Sequence, residues 1–332
     1  MVKMKLSLTN VLYSILCAGV VTTTLTVDKA SAAQLAYCAV PGGSAVSPKG
    51  TGWARGFLQP AKKWPSRTIH FYIDMHQTFL YNPNDPQGKP DTTKKVPASM
   101  ATAFRKAAKQ WTDLTVITLK EWCPHGDSSP DCQGNTPKEP PTPYIRVEYW
   151  PGDPNSKIKK AQKAMCGANI GPFAKRPTKI YLGRKKDCVN DQPLDIGRMT
   201  HELGHALGLI HEHLRRFREV YVTINWDNIQ RGTHSQYGGG GGVDRLLNSR
   251  AQSDYDYLSI MHYSPKQGAN SPRPTIEPAI TGLLRQKEQK DEYGLSTLDL
   301  GQRNCISKLD QASINTLYKD VPQRGPVSER SR

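Results

Sequence analysis

Apolar residues recur at helical spacing in two stretches of the chain. The first stretch runs from Ala98 to Leu114 behind Pro97, and its apolar face consists of Met100, Phe104, Ala107, Ala108 and Trp111. The second starts at about Asp195, a candidate N-cap, and its face consists of Ile196, Met199, Leu203, Leu207 and Ile210. The pattern predicts two helices that each bury one face.

Short segments rich in β-branched and aromatic residues predict strands at 68–74, 116–119, 144–149 and 179–182. Turn-forming residues dominate 83–97 and 123–143, and the second of these loops is a candidate for a local Cys123–Cys132 bridge. A run of glycines at 238–242 lacks the Lys-Ser/Thr of a phosphate loop, so it predicts a flexible loop. The chain therefore combines strands, helices and long loops.

Residues 1–33 have the pattern of a signal peptide. Lys3 and Lys5 precede an apolar run, and small residues follow at 30–33. A retained membrane anchor is the alternative, but threonines interrupt the apolar run. We predict a secreted, extracellular protein with no membrane span after cleavage.

Composition adds a basic charge and a set of cysteines. The 332 residues carry 45 Lys+Arg against 29 Asp+Glu, a net charge of +16, which favours acidic partners and leaves nucleic acid, anionic surfaces and acidic peptides open. Seven cysteines are present, and Cys17 lies in the leader. The even number that remains predicts disulfides in an exported chain.

The segment from His201 to His211 has the spacing of a metal site. On a helix, His201 and His205 lie one turn apart, with Glu202 beside them. Gly208 suits a turn that ends the helix and brings His211 back toward the same ion. A chance match on an amphipathic helix is the alternative, which a third histidine behind a glycine makes improbable.

Three neutral imidazoles leave a fourth position on zinc open, which is the catalytic pattern. Zinc lowers the pKa of a bound water toward about 7, and a neighbouring carboxylate can take its proton. We therefore predict one catalytic Zn²⁺ held by His201, His205 and His211, with Glu202 as the general base.

Together with Ser259–Tyr263, a candidate methionine turn, the histidine motif resembles the metzincin metalloproteases. Within that clan, a glutamate directly after the third histidine (Glu212), together with this methionine turn, resembles the pattern of the astacin family. The resemblance covers about residues 64–320. It implies an α+β, metzincin-like catalytic domain. A twisted, mostly parallel sheet and two long helices would form the upper subdomain, with an irregular lower subdomain that ends in a C-terminal helix.

The resemblance also implies roles for single residues. Tyr263 would bind zinc at rest and stabilise the oxyanion, with a simply packed tyrosine as the alternative. Met261 would form an apolar base under the histidines. His213 and His262 are not expected to be ligands.

For the cysteines, the resemblance implies a Cys166–Cys188 bridge, whereas the cysteines of the second family bridge are missing here. Cys38–Cys305 is our suggested replacement. A cysteine switch at Cys38 is a rival interpretation.

Three departures from the family pattern concern activation. Phe217 stands where the family usually has aspartate, and no aspartate-bearing propeptide is visible before Trp64. Family members pair Glu212 with a freed N-terminus, which the sequence does not identify here. The control of activation therefore stays open.

These inferences divide the chain into a signal peptide (1–33), an N-terminal arm or short pro-segment (34–63), an astacin-like zinc metalloprotease domain (64–320) and a disordered basic tail (321–332). We predict a monomeric, secreted zinc endopeptidase that prefers acidic protein or peptide substrates, with Arg273 or Lys266 as candidate determinants, and that binds no nucleic acid. The alternative is an adhesin or polyanion-binding protein on the same fold, against which Glu202 and Tyr263 count.

Overall fold

The structure is a computed structural model that describes residues 63–74, 96–122, 140–149, 167–183, 193–215, 217–238, 255–292 and 300–323. These residues all belong to one compact unit, which spans 35–332. The leader, the N-terminal arm, the Cys123–Cys132 and Cys166–Cys188 bridges and the glycine run after Gly238 lie outside the described residues, so the predictions for them stand untested.

Among the described residues, five strands form the main sheet, in the order β2-β1-β3-β5-β4. They are β1 (Thr68–Ile73), β2 (Thr118–Glu121), β3 (Ile145–Tyr149), β4 (Gly167–Ala168) and β5 (Thr178–Leu182). Every pairing is parallel except that of β4 with β5. The mostly parallel sheet is confirmed. β2 begins later than predicted because the Val116 backbone N–H donates to the Asn315 side chain rather than to a strand.

Four α-helices lie among the described residues: α1 (Ala98–Leu114), α2 (Pro193–Ala206), α3 (Ile280–Glu292) and α4 (Lys308–Tyr318). α1 has the predicted bounds. α2 starts at Pro193, a residue suited to a first turn, so the prediction of Asp195 as N-cap is wrong. The sequence interpretation missed α3, whereas α4 is the expected C-terminal helix and is capped by Ser307 and Asp310.

α1 and α2 pack against each other beneath the sheet. Phe104 and Trp111 of α1 and Leu203 of α2 are fully buried in the same apolar cluster as Ile145 of β3. The Trp111 indole N–H also donates to the Thr200 carbonyl at 2.9 Å, which fixes one helix against the other. The helix with the histidine motif is therefore fixed against α1 and shares its apolar core with the sheet.

As predicted, the described residues between α2 and α3 are mainly irregular. They form short 3₁₀ helices and one antiparallel pair, β6 (Val222–Ile224) and β7 (Ile276–Pro278). At the end of the chain, the carbonyls of Pro322 and Gln323 accept backbone hydrogen bonds from Arg67 and Thr68 at 2.9 and 3.0 Å. The predicted disordered tail of 321–332 is therefore wrong for residues 321–323, which dock at the start of β1.

Within the described ranges, we find no helix that combines the length and apolar character needed to cross a membrane.

Candidate metal centre

The last turn of α2 and the turn behind it bring three histidines together. His201 and His205 lie one helical turn apart on α2. Gly208 then adopts a φ of 107°, a left-handed conformation that favours glycine, and the chain reverses toward His211. His201 and His205 are buried, and His211 is partly exposed.

The geometry of the three rings fits a metal ion. The Nε2 atom of His211 lies 3.1 Å from that of His205 and 3.3 Å from that of His201. Two nitrogens bound tetrahedrally to zinc at about 2.05 Å would lie roughly 3.3 Å apart. Within the part of the chain that the structure describes, this is the only such group of histidine, cysteine or acidic side chains.

Backbone carbonyls orient two of the rings. The Nδ1 atom of His201 lies 2.7 Å from the Ile260 carbonyl oxygen, and that of His205 lies 2.8 Å from the Leu209 carbonyl oxygen. Donation from each Nδ1–H leaves the Nε2 lone pair free to face the other rings. Each of these two imidazoles thus presents a nitrogen that could bind a metal ion.

The protonation state of the rings also suits a metal. Burial lowers the pKa of His205 to about 4 and lowers the pKa values of His201 and His211 well below the ordinary value. All three imidazoles are therefore neutral at neutral pH, which is the form that binds a cation.

Glu202 carries a carboxylate that is poised for proton transfer. It is buried, and its Oε2 atom has no hydrogen-bond partner within the part of the chain that the structure describes. Burial raises its pKa to about 7, and the charge of Arg303 acts in the opposite direction. A carboxylate with a pKa in this range can both take up and release a proton near neutral pH.

Tyr263 lies beside the third histidine. Its ring centroid is 4.4 Å from that of His211 and 4.0 Å from that of His213. Its hydroxyl donates to the Gln236 side chain at 3.3 Å, and burial raises its pKa, so it keeps its proton. A neutral phenol at this position can donate a hydrogen bond into the site.

Met261 lies under the histidines in the main apolar cluster. A methyl group on Gly204, between the two α2 histidines, would lie 2.5 Å from the Met261 sulfur, so the glycine makes room for the thioether. The Met261 carbonyl also accepts a hydrogen bond from the Glu212 backbone at 3.2 Å. The methionine turn therefore contacts both α2 and the segment that follows His211.

Distant parts of the chain hold the end of α2. The Trp64 indole N–H donates to the Ala206 carbonyl at 2.9 Å, and the Tyr318 hydroxyl donates to the Leu207 carbonyl at 2.7 Å. The Gly171 N–H donates to the His205 carbonyl at 2.9 Å. The last carbonyls of a helix have no partner within the helix. Here they accept hydrogen bonds from distant residues, which fixes the position of His205.

Glu212 is buried with a charged partner of its own. One carboxylate oxygen lies 2.9 Å from Arg215 Nε and accepts the Asp256 backbone N–H at 3.0 Å. A small cavity beside it is lined in part by Asp256, Ser259 and Asp310. Pairing of Glu212 with a freed N-terminus remains a prediction, because residues before 63 lie outside the described ones.

The other two histidines near the site, His213 and His262, form hydrogen bonds with groups outside the three-histidine cluster. The Nε2 atom of His213 lies 3.1 Å from the Gln236 carbonyl oxygen. His262 lies between the Tyr255 hydroxyl, 2.6 Å from its Nε2, and the Tyr263 carbonyl, 2.7 Å from its Nδ1. Through these hydrogen bonds, both histidines help to hold the segments around the site in place.

Sequence reasoning missed Arg303. Its guanidinium is partly buried and donates to the carbonyls of His262 and Gln302 at 3.1 and 2.8 Å. Its charge acts on the ionisation of Glu202, Tyr263 and all three clustered histidines. Among 45 basic residues, nothing in the local pattern distinguishes it.

The basic residues singled out earlier, Lys266 and Arg273, are exposed. Phe217 is 64% exposed and has a φ of 62°, the one positive φ among the described residues other than glycine. A small polar residue such as aspartate adopts that conformation more readily than phenylalanine does. Cys305 is disulfide-bonded, and the remaining cysteines lie outside the described residues, so its pairing with Cys38 stays a prediction.

Fold and site together define a mixed α/β protein with a three-histidine candidate metal centre on a helix. Residues 145–319, just over half of the chain, match the model of the peptidase family Astacin. The chain therefore belongs to the astacin family.

Two curated relatives and one solved structure illustrate the similarity. Nematocyst expressed protein 6 of Nematostella vectensis is 29% identical over 234 residues, which cover 70% of this chain and 64% of that protein. Zinc metalloproteinase nas-15 of Caenorhabditis elegans is 38% identical over 157 residues, which cover 44% of this chain and 24% of that protein. The chain thus spans less than two thirds of the length of these relatives.

The solved structure is that of high choriolytic enzyme 1, a hatching enzyme zinc-protease from Oryzias latipes. It aligns with a TM-score of 0.50 and 20% sequence identity, over 80% of this chain and 98% of that one. At this identity the match shows a shared fold.

Proposed function

We propose that this chain is a zinc-dependent endopeptidase that hydrolyses peptide bonds in proteins or peptides. The proposal rests on the convergence of three neutral imidazoles at 3.1 and 3.3 Å beside a Glu202 carboxylate oxygen that has no hydrogen-bond partner among the described residues. His201, His205 and His211 would hold the ion. Family membership supports the same assignment.

Zinc, when bound, supplies a Lewis acid that polarises a carbonyl and acidifies water. The protein's own residues do the rest. Glu202 takes a proton from the attacking water and passes it to the leaving amine, a dual role that a pKa near neutrality permits. Tyr263 keeps its proton and donates a hydrogen bond from its hydroxyl to the oxyanion that develops on the carbonyl.

Hydrolysis of casein or gelatin by the wild type and by Glu202→Gln tests the proposal, with the zinc content measured in each. We expect Glu202→Gln to retain zinc and to lose roughly 10²- to 10⁴-fold in turnover, the range of general acid–base catalysis. Glu219→Gln is the matched control, because Glu219 is 71% exposed at its side chain. Equal activity of wild type and Glu202→Gln, with zinc present in both, would overturn the mechanism.

We also propose a preference for acidic substrates, in a secreted and monomeric enzyme. Arg303 supports the preference, because its partly exposed guanidinium donates to the His262 carbonyl at 3.1 Å, next to Tyr263, and its positive charge acts on Glu202 and Tyr263. Arg303→Gln should lower kcat/KM for a peptide with glutamate after the scissile bond more than for its glutamine analogue. Arg231→Gln, a change at an exposed arginine that the sequence does not single out, is the control. An equal loss for both peptides would refute this assignment.

A further inference from the structure

Helix α3 buries a glutamine while two of its apolar residues face solvent. Ile280 and Leu283 are 88% and 50% exposed, whereas Gln289 is 1% exposed. Burial of a primary amide is costly unless both its N–H donors and its oxygen find partners. Neither the sequence motifs nor the proposed function gives Gln289 a role.

The Gln289 side chain pairs with the backbone of the segment that precedes the methionine turn. Its Nε2 group donates to the Tyr255 carbonyl at 2.7 Å, and its Oε1 atom accepts the Tyr257 N–H at 3.1 Å. These are the two bonds that a neighbouring strand forms with one edge of an extended segment. On the opposite edge, the Asp256 N–H donates to Glu212 at 3.0 Å. The segment is therefore held on both edges.

From this segment, a chain of hydrogen bonds leads to the backbone of Tyr263. The Tyr255 hydroxyl lies 2.6 Å from Nε2 of His262, and Nδ1 of His262 lies 2.7 Å from the Tyr263 carbonyl oxygen. The rings of Tyr255 and His262 also pack edge to face, 5.5 Å apart at 76°. Both residues are fully buried, so neither ring has free space in which to move without the other. The position of Tyr263 therefore depends on that of Tyr255.

We infer that Gln289 is a positioning residue, which sets the place of Tyr263 in the site through Tyr255 and His262. The kinetic consequence rests on the proposed function, in which Tyr263 acts on the developing oxyanion. The structural content, a dependence of the His262 ring on Gln289, does not require peptidase activity.

Gln289→Met removes both hydrogen bonds with little change in side-chain volume. The Tyr255 carbonyl and the Tyr257 N–H then lose their partner, so the segment shifts and Tyr263 shifts with it. We expect kcat to fall about 10-fold and KM to change less than about 2-fold, because the displaced group acts on the transition state. Gln286→Met, at a partly exposed glutamine of the same helix, is the matched control and should leave both constants unchanged.

A double-mutant cycle with Tyr255→Phe shows whether Gln289 acts through the tyrosine. Tyr255→Phe removes the hydroxyl that reaches His262. In that background, Gln289→Met should lower kcat by less than about 2-fold, because the route to Tyr263 is already broken. A loss of about 10-fold in both backgrounds would be additive and would overturn the inference. If Gln289→Met does not fold, Gln289→Asn takes its place, because it keeps a buried amide on a side chain too short for both bonds.

Nuclear magnetic resonance of the full chain with ¹⁵N-labelled histidine tests the coupling without any catalysis. The Nε2 resonance of His262, assigned by its loss in His262→Gln, should shift in Gln289→Met and stay in place in Gln286→Met. An unchanged resonance in Gln289→Met would overturn the inference. If Glu202→Gln proves as active as the wild type, the proposed function fails, whereas this resonance still decides whether Gln289 positions His262.

Discussion

Gly197→Ala perturbs the packing that places Arg303 beside the metal centre. A methyl group on Gly197 in α2 would lie 1.6 Å from the Arg303 carbonyl oxygen and 2.5 Å from the Arg303 carbonyl carbon. Both neighbours are backbone atoms, so no rotamer change can relieve the overlap. The helix and the segment around Arg303 would have to separate.

The magnitude follows from two opposing terms. Overpacking of this kind costs roughly 1–3 kcal/mol, and a backbone clash belongs at the upper end. The higher helix propensity of alanine over glycine stabilises the folded state by about 1 kcal/mol. The free energy of unfolding should therefore fall by about 2 kcal/mol, a shift in Tm of roughly 4–8 °C for a domain of this size. Because the helix carries Glu202, turnover should also drop, by up to about 10²-fold for a displacement near 1 Å.

Thermal and urea unfolding, together with casein hydrolysis, measure these effects. Gly167→Ala in β4 is the control, because none of the described residues has an atom within 4 Å of its added methyl group. Its stability should stay within about 0.5 kcal/mol of the wild type. If Gly197→Ala is as stable and as active as Gly167→Ala, the packing of α2 against Arg303 described above is wrong.

Three further predictions concern the supports of the site. Tyr318→Phe leaves the Leu207 carbonyl without its buried donor, so urea unfolding should show a loss of about 1–3 kcal/mol, and a loss below about 0.5 kcal/mol would argue against this contact. Chelation of zinc, compared with free zinc at about 100 times Kd, should lower the unfolding free energy by about 2.7 kcal/mol, and an unchanged Tm would speak against a folded-state metal site. Burial, reinforced by Asp310 and Glu212, raises the pKa of Asp256 well above its ordinary value. The native state therefore binds a proton that the unfolded state has released, so this contribution to stability falls as pH rises through the native pKa, and Asp256→Asn should flatten that decline. An unaltered slope in the mutant would exclude Asp256 as its source.

The sequence predicts those parts of the fold that depend on local periodicity. The apolar spacing of α1 predicts its bounds because one face of the helix is buried in the core, with Phe104 and Trp111 fully enclosed. Gly208 was predictable as the turn before His211 because its φ of 107° favours glycine. Local pattern therefore led to the three histidines and the carboxylate at the centre of the site.

Features that depend on long-range contacts were not predictable. The position of β2 depends on Asn315, a residue far along the chain. The position of residues 321–323 depends on backbone hydrogen bonds from Arg67 and Thr68, which lie far away in the sequence. Arg303 reaches the centre through the packing of its backbone against Gly197, which no spacing in the sequence encodes.

α3 was missed for a different reason. Its sequence from Ile280 to Glu292 is mainly polar, and Ile280 and Leu283 are exposed, so it has no apolar stripe to recognise. Gly282 within it lies against the Tyr257 hydroxyl and the Tyr221 carbonyl, where a methyl group would clash. Close contact with its neighbours, rather than periodicity, places this helix.

Zinc K-edge X-ray absorption on the zinc-loaded protein shows directly whether His201, His205 and His211 hold the ion. We expect three imidazole nitrogens at about 2.0–2.1 Å, with the same shell in Glu202→Gln and one imidazole fewer in His211→Ala. A sulfur shell near about 2.3 Å, or a spectrum that His211→Ala leaves unchanged, would contradict it.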